Sequence, residues 1–156
     1  MVVDDTEAYS GSKSLKVVGI ASTGIPWHTQ VQHNLVPTLD ADIFTVAFWA
    51  KVDSSEGLTR EIDISAQMEN DPWPGFHAET IVLDGIEWKE YKHTFIVDRH
   101  IKEDMWIGLA VAGSDVSFWI DDIRFFEGGP EEEIFGQETS VKPGGKIFTV
   151  WGEMKF

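Results

Sequence analysis

Two tryptophans stand in sequence contexts suited to contact with a ligand. Trp27 follows Pro26 and precedes a polar run that includes Gln30 and Gln32, and Trp73 lies between two prolines in a predicted loop. An aromatic ring offers an apolar face to the C–H groups of a sugar, and amide or carboxylate side chains hydrogen-bond its hydroxyl groups. These contexts predict a carbohydrate-binding surface. The alternative is that both rings only cap the ends of the fold.

A strongly alternating segment supplies further polar side chains. Every second residue of EIDISAQME (61–69) is apolar, which predicts a strand with one buried and one solvent-exposed face. Asp63 and Gln67 lie on its polar face, and face alternation and proximity add His77 and Glu79 from the next predicted strand. The predicted carbohydrate-binding residues are therefore Trp27, Gln30, Gln32, Asp63, Gln67, Trp73, His77 and Glu79.

No catalytic motif is visible in the sequence. The five histidines lack zinc-binding spacing, no serine lies in a G-x-S-x-G elbow, no glycine-rich phosphate loop occurs, and there are no cysteines. A glycosidase needs two carboxyl groups facing each other across a cleft, for which Asp63 and Glu79 would be the pair. We expect no catalytic residues, and a small glycan-active enzyme is the less favoured alternative.

The charge of the chain limits its partners. With 27 acidic and 12 basic residues the net charge is −15, which repels the phosphates of nucleic acids and anionic membrane surfaces. No apolar run is long enough to cross a bilayer. We therefore expect no nucleic-acid and no membrane partner, and a monomer whose ligand is neutral.

The elements that would position these residues are strands. Turn residues recur about every ten positions, and the segments between them are rich in β-branched and aromatic residues or alternate in polarity. This pattern predicts an all-β fold, a two-sheet antiparallel β-sandwich of the jelly-roll type. The predicted strands span 14–18, 27–35, 44–52, 61–69, 76–83, 91–97, 105–111 and 116–126. Trp49, Trp88, Trp106 and Trp119 lie in or beside them and are predicted to pack in the core.

Composition divides the chain into three parts. Residues 1–128 form the predicted sandwich, 129–145 form an acidic Gly/Pro linker, and 146–156 form a C-terminal strand. We expect the last segment to add to an exposed edge of the sandwich.

Four segments resemble a known family. They are AYSGSKSLKV (8–17), FTVAFWAK (44–51), EWKEYKHTF (87–95) and FWIDDI (118–123). Their order and spacing resemble carbohydrate-binding modules of the jelly-roll group that includes families four, nine, sixteen and twenty-two, which are attached to bacterial cellulases, xylanases and laminarinases. The resemblance covers residues 3 to 126.

The resemblance implies a binding role without catalysis. It suggests a secreted bacterial module, extracellular or at the cell surface, that serves a glycoside hydrolase or surface protein and holds a neutral polysaccharide, β-glucan or xylan, in a concave cleft. Trp27 and Trp73 match the two cleft aromatics, and Gln30 matches a hydroxyl partner. An adhesion or structural sandwich that does not bind sugar is the alternative.

A structural calcium ion is also implied by the resemblance. Carbonyl groups of the turn at Ser10 and Lys13, together with Asp121, match its ligands, and oxygen ligands suit calcium. The family's first strand, which brings a further ligand, precedes the point at which this sequence begins. The alternative is that Asp121 only bonds a turn.

Overall fold

The computed structural model describes residues 1–19, 25–36, 43–68, 75–96, 105–132 and 147–150. Within these residues ten strands form two antiparallel sheets. The strands are β1 (Val2–Asp4), β2 (Ser14–Val17), β3 (Gln30–Val36), β4 (Ile43–Val52), β5 (Arg60–Met68), β6 (Gly75–Leu83), β7 (Lys89–Ile96), β8 (Met105–Ala110), β9 (Phe118–Glu127) and β10 (Ile147–Val150).

The two sheets differ in size. The larger has the order β1-β2-β9-β4-β7 with β10 also paired to β9, and the smaller has the order β3-β8-β5-β6. The predicted all-β, two-sheet antiparallel sandwich is confirmed. In the described part of the chain no helix is long and apolar enough to span a bilayer.

Alternation of side chains builds the core between the sheets. In β4 the residues Phe44, Val46 and Phe48 point inward, and in β5 Ile62 and Ile64 do the same. All five side chains are buried, and burial of such a side chain contributes about 1.5–3 kcal/mol to folding. The intervening residues of β5 are polar and partly exposed. This strand therefore separates a packed core from a solvated surface.

The predicted strand at 27–35 divides into two elements. Pro26–His28 forms a short 3-10 turn, and β3 begins only at Gln30. Proline has no N–H group to donate to a sheet, and its fixed φ suits the first position of a helical turn. Trp27 therefore projects from a turn at the end of the smaller sheet.

Strand β9 has a different neighbour on each edge. Strand β4 pairs along almost its whole length. On the other edge β2 pairs with Phe118–Ile120 and β10 pairs with Arg124–Phe126. Between these two stretches Asp122 has a φ of 49°, and the register with β4 shifts by one residue there. The described C-terminal strand therefore occupies an edge position beside the sandwich; the rest of 146–156 and most of the predicted linker lie outside the described residues.

The tryptophans predicted to be in the core are not between the sheets. Trp49 and Trp119 alternate with core residues and lie on the outer face of the larger sheet, where Tyr9 stacks on Trp49 at 3.7 Å between ring centroids. The Nζ atom of Lys16 lies 4.1 Å from the centroid of the Trp119 ring. Trp88 lies beside Tyr9 in the same cluster. Stacked rings and lysine stems cover these tryptophans, so they are shielded from water without entering the core.

A buried arginine closes one end of the sandwich. Arg60, at the start of β5, is 1% exposed, and its guanidinium donates to the carbonyl groups of Val111 and Val116 and lies over the Phe118 ring. Burial lowers the pKa of Arg60 to about 10. The side chain joins β5 to the segment between β8 and β9.

Candidate functional site

The outer face of the smaller sheet carries most of the predicted polar residues. We call it the polar face and define it by Gln30, Gln32, Asp63, Ser65, Gln67, Thr80, Trp106, Gly108 and Ala110. These residues alternate with core residues such as Val31, Ile64 and Leu109. The face exists because the strands of the smaller sheet place polar or small residues, and in β8 also Trp106, at every second position.

Register aligns these residues in rows that cross the strands. The first row is Gln30, Ala110, Asp63 and Thr80; the second contains Gln32, Gly108 and Ser65; the third contains Trp106 and Gln67. Successive rows are about 6.6–6.8 Å apart along a strand. The second row has small residues on its two central strands, and larger side chains flank it on both sides. From the sizes of these residues we infer that the second row is the lowest part of the polar face, and we call the row Gln32, Gly108 and Ser65 the trough.

Gly108 forms the floor of this trough. A Cβ atom at this position would lie 2.8 Å from the carbonyl oxygen of Val31 and 3.0 Å from Cβ of Gln32. The backbones of β3 and β8 are thus packed too closely for any side chain at this point. A ligand lying in the trough could approach the sheet backbone here.

Trp27 stands at one end of the polar face. Its side chain is 64% exposed. The preceding residue, Pro26, lines an open depression together with Asp63, Thr80, Ala110 and Gly113. The exposed indole belongs to the next residue of the chain, and an exposed ring close to hydrogen-bonding groups can stack on a ligand.

The turn that carries Trp27 is hydrogen-bonded to the segment that follows β8. The amide nitrogen of Ala112 donates to the Pro26 carbonyl at 3.0 Å, and that of Val111 donates to the Thr29 carbonyl at 2.8 Å. Nε2 of Gln30 donates to the Trp27 carbonyl at 3.0 Å. The exposed ring therefore rises from a fixed backbone.

The charge of the polar face suits a neutral ligand. Its described residues, with the neighbouring Glu61, provide two carboxyl groups and no cationic side chain. Asp63 accepts a hydrogen bond from Oγ1 of Thr80, which fixes the orientation of its carboxylate. A polyanion would be repelled here, whereas hydroxyl groups could donate to the carboxylate oxygens.

Glu79 was predicted to belong to this surface but falls outside it. Glu79 pairs in register with Ile64, a core residue, and its Oε2 lies 3.1 Å from Nε2 of His93 in the larger sheet. The backbone of His77 pairs with Ala66 rather than with a residue of the polar face. Since Asp63 and Glu79 are on opposite faces of the sheet, they do not form the carboxyl pair that a glycosidase would need. The predicted Trp73 lies outside the described residues.

Comparison with known proteins assigns the family. The model of the carbohydrate binding domain matches residues 1–106 of this chain. The chain belongs to this family of carbohydrate-binding modules. No curated protein sequence matches it.

Solved structures of such modules share its fold. A CBM4 domain is 21% identical over 70% of this chain and 68% of its own length, with a TM-score of 0.59. The CBM22-1 xylan-binding domain from Paenibacillus barcinonensis is 10% identical over 79% of this chain and 77% of its own, with a TM-score of 0.58. The C-terminal family 22 module from Clostridium thermocellum is 18% identical over 80% and 77%, with a TM-score of 0.54.

The carboxylate of Asp121, which was predicted to bind calcium, accepts hydrogen bonds from backbone amides. Oδ2 of Asp121 accepts hydrogen bonds from the amide nitrogens of Tyr9 and Ser10, both at 2.9 Å, and Oδ1 accepts one from Asp122 at 2.8 Å. Within the described residues no three His, Asp or Glu side chains converge. These contacts fit the alternative in which Asp121 holds the turn; calcium at Ser10, Lys13 and Asp121 stays a prediction.

Three features of the polar face were absent from the sequence-based prediction. Trp106 was assigned to the core, but it pairs with Gln67 on the outer face and is 9% exposed. Gly108 and Thr80 were not selected. Strict alternation with Ile107 and Leu109 would have identified Trp106 and Gly108. The bond from Thr80 to Asp63 depends on strand pairing, which one sequence does not reveal.

Proposed function

We propose that this module binds a neutral polysaccharide, a β-glucan or xylan, in the trough of the polar face. Trp27 stacks on a sugar ring at one end, and Gln32, Asp63 and Gln67 hydrogen-bond its hydroxyl groups. The module itself carries out no catalysis. It works outside the bacterial cell and keeps an attached enzyme or surface protein close to the polysaccharide.

The single observation that carries this proposal is the 64% exposure of Trp27 beside a polar face. Exposed apolar side chains are common on protein surfaces, but an indole also offers a broad flat face that a ligand can cover. A ligand with an apolar face would remove that surface from water. A sugar ring also offers hydroxyl groups, which match the amides and carboxylate of the adjacent rows.

Several considerations favour an extended neutral chain. The trough crosses three strands about 4.8 Å apart, and a surface of this length suits an extended polymer. Both described carboxyl groups near the face disfavour anionic polysaccharides. Xylan is the ligand of the Paenibacillus domain with the same fold, so it belongs among the candidates.

Affinity electrophoresis of the purified chain tests the proposal. Xylan, barley glucan, laminarin, glucomannan and hydroxyethylcellulose are placed in separate gels, each with calcium and again with a chelator. We expect retardation by one or two of these polysaccharides. A difference between calcium and chelator would support the predicted calcium. No retardation of the folded protein by any of them would favour the adhesion or structural alternative.

The role of Trp27 is tested by Trp27→Ala. Loss of a stacking ring is expected to weaken binding by about 1–3 kcal/mol, or ten- to hundredfold, by analogy with aromatic stacking on bases. Leu58→Ala is the matched control, because Leu58 is 68% exposed but lies between β4 and β5, outside the polar face. Unchanged retardation of the Trp27 variant would refute stacking at this site.

A further inference from the structure

Gln30 was predicted to contact sugar hydroxyl groups, but its amide already has a partner. Nε2 lies 3.0 Å from the carbonyl oxygen of Trp27. A carbonyl oxygen can only accept a hydrogen bond, so the amide nitrogen must be the atom that faces it. The donor end of Gln30 is therefore directed at the backbone of the turn that carries the exposed indole.

The Trp27 carbonyl differs from its neighbours in the turn because it accepts its hydrogen bond from a side chain. The carbonyls of Ile25, Pro26 and Thr29 accept from backbone amides of His28, Ala112 and Val111, respectively. The Trp27 carbonyl accepts from Gln30. The backbone of Gln30 pairs with Ala110 in the sheet. Its side chain therefore ties the peptide group between Trp27 and His28 to β3.

A fixed ring has an advantage in binding. An exposed tryptophan on a three-residue turn can adopt several orientations, and ordering it on binding would reduce affinity. A hydrogen bond from the sheet to the peptide group next to its Cα holds the backbone dihedrals, on which the allowed rotamers of the indole depend, before the ligand arrives. The same bond holds the Trp27 backbone, from which the ring projects, in place relative to Gln30 in the first row of the polar face.

We propose that Gln30 is a positioning residue that holds the Trp27 turn ready for stacking, and that it acts on the ligand mainly through Trp27. This inference rests on the proposed function for its effect on affinity. In the free protein, we expect the environment of the Trp27 indole to depend on Gln30.

The free protein is tested by 19F NMR after incorporation of 5-fluorotryptophan. The Trp27 resonance is assigned as the signal missing from Trp27→Phe. We expect Gln30→Ala to shift or broaden this resonance without ligand, while the melting temperature and the other six tryptophan signals change little. Gln32→Ala is the matched control, since Gln32 lies on the same face of the same strand; its variant should leave the Trp27 signal in place.

Binding is tested by a double-mutant cycle in affinity electrophoresis. Gln30→Ala should weaken binding about two- to tenfold in the parent protein, the effect of one hydrogen bond. In the Trp27→Ala background it should have almost no effect, because no ring remains to be positioned. Gln32→Ala, if Gln32 contacts the ligand directly, should cost the same factor in both backgrounds.

The outcomes distinguish the inference from the proposed function. An unchanged Trp27 signal in Gln30→Ala would overturn the inference, whether or not a polysaccharide is bound. An equal loss of affinity from Gln30→Ala in both backgrounds would also overturn it and would make Gln30 a direct hydroxyl partner. If no polysaccharide in the panel is bound, the proposed function fails, and the 19F result alone decides the role of Gln30.

Discussion

At the scale of single residues, Gly108 is under the tightest packing constraint on the polar face. The strands β3 and β8 approach so closely there that a Cβ atom would overlap the Val31 carbonyl. Backbone atoms cannot rotate away as a flexible side chain can, so a substitution must shift a strand. The trough and the close packing of these two strands are consequences of the same glycine.

Gly108→Ala should therefore destabilise the protein and weaken binding together. Overpacking of this kind costs about 1–3 kcal/mol, and each kcal/mol lowers the melting temperature by about 2–4 °C in a chain of this size. Thermal unfolding followed by circular dichroism measures the loss.

Gly113→Ala is the matched control for this prediction. A Cβ atom at Gly113 would lie 3.7 Å from Cγ of Pro26, an ordinary contact, and its φ is outside the left-handed region. Alanine there should leave stability unchanged or raise it by about 0.4–1 kcal/mol. Equal melting temperatures for the two variants would contradict the packing argument at Gly108.

Sequence reasoning placed some residues of the polar face correctly and missed others for a physical reason. Gln30, Gln32, Asp63 and Gln67 were placed on one face because the period of two in a strand is visible in the residues themselves. Glu79 was misplaced relative to Asp63 because the face of one strand relative to the next depends on register. A shift of one residue in register moves every side chain of a strand to the opposite face of the sheet.

At the scale of elements, β9 and its edges govern how the larger sheet is completed. Strands β2 and β10 share one edge of β9, and Asp121 lies in the gap between them with both carboxylate oxygens bonded to backbone amides. An unpaired edge at Arg124–Phe126 would leave backbone N–H and C=O groups without partners in the sheet.

Deletion of residues 131–156 should lower the melting temperature by about 5 °C or more. It removes the pairing of Ile147–Val150 with β9, and each lost backbone hydrogen bond costs about 0.5–1.5 kcal/mol. A chain ending at Val150 retains β10 and is the control. If the two truncated chains melt at the same temperature, β10 does not stabilise the sandwich.

Most strands were predictable to within a few residues because each carries its own pattern. The predicted 44–52 and 61–69 correspond to β4 and β5, and the predicted 105–111 corresponds to β8. The short β1 was missed, since three exposed or partly exposed residues carry no periodic signal. The 3-10 turn at Pro26–His28 was merged with β3, because propensity locates the ends of elements poorly.

At the scale of the whole molecule, hydrogen-bonded carboxylates link stability to pH. The pKa of Asp4 is lowered to about 2, first by the hydroxyl of Thr6 and then by the indole N–H of Trp119. Hydrogen bonds from Ser55 and Ser117 lower the pKa values of Asp53 and Glu56, respectively. Burial raises the pKa of Asp122, so protonation of this carboxyl group favours the folded state, whereas protonation of the other three carboxylates disfavours it.

We expect the free energy of unfolding to be lower at pH 3 than at pH 7. A carboxyl group with a lowered pKa in the folded state stabilises the fold fully above its unfolded pKa, near 4, and loses this contribution as the pH falls toward 2. Urea unfolding at both pH values measures the change. Asp4→Asn cannot titrate and should lose less stability on acidification. A free energy that stays constant or rises at pH 3 would contradict the prediction.

The placement of β1 and β10 has a practical consequence for attachment. Both strands belong to the larger sheet, while Trp27 and the trough belong to the opposite side of the sandwich. A tether, dye or partner domain joined directly to β1 or β10 would be attached to the sheet opposite the polar face. The molecule can therefore be immobilised or fused through either strand with its polar face left accessible.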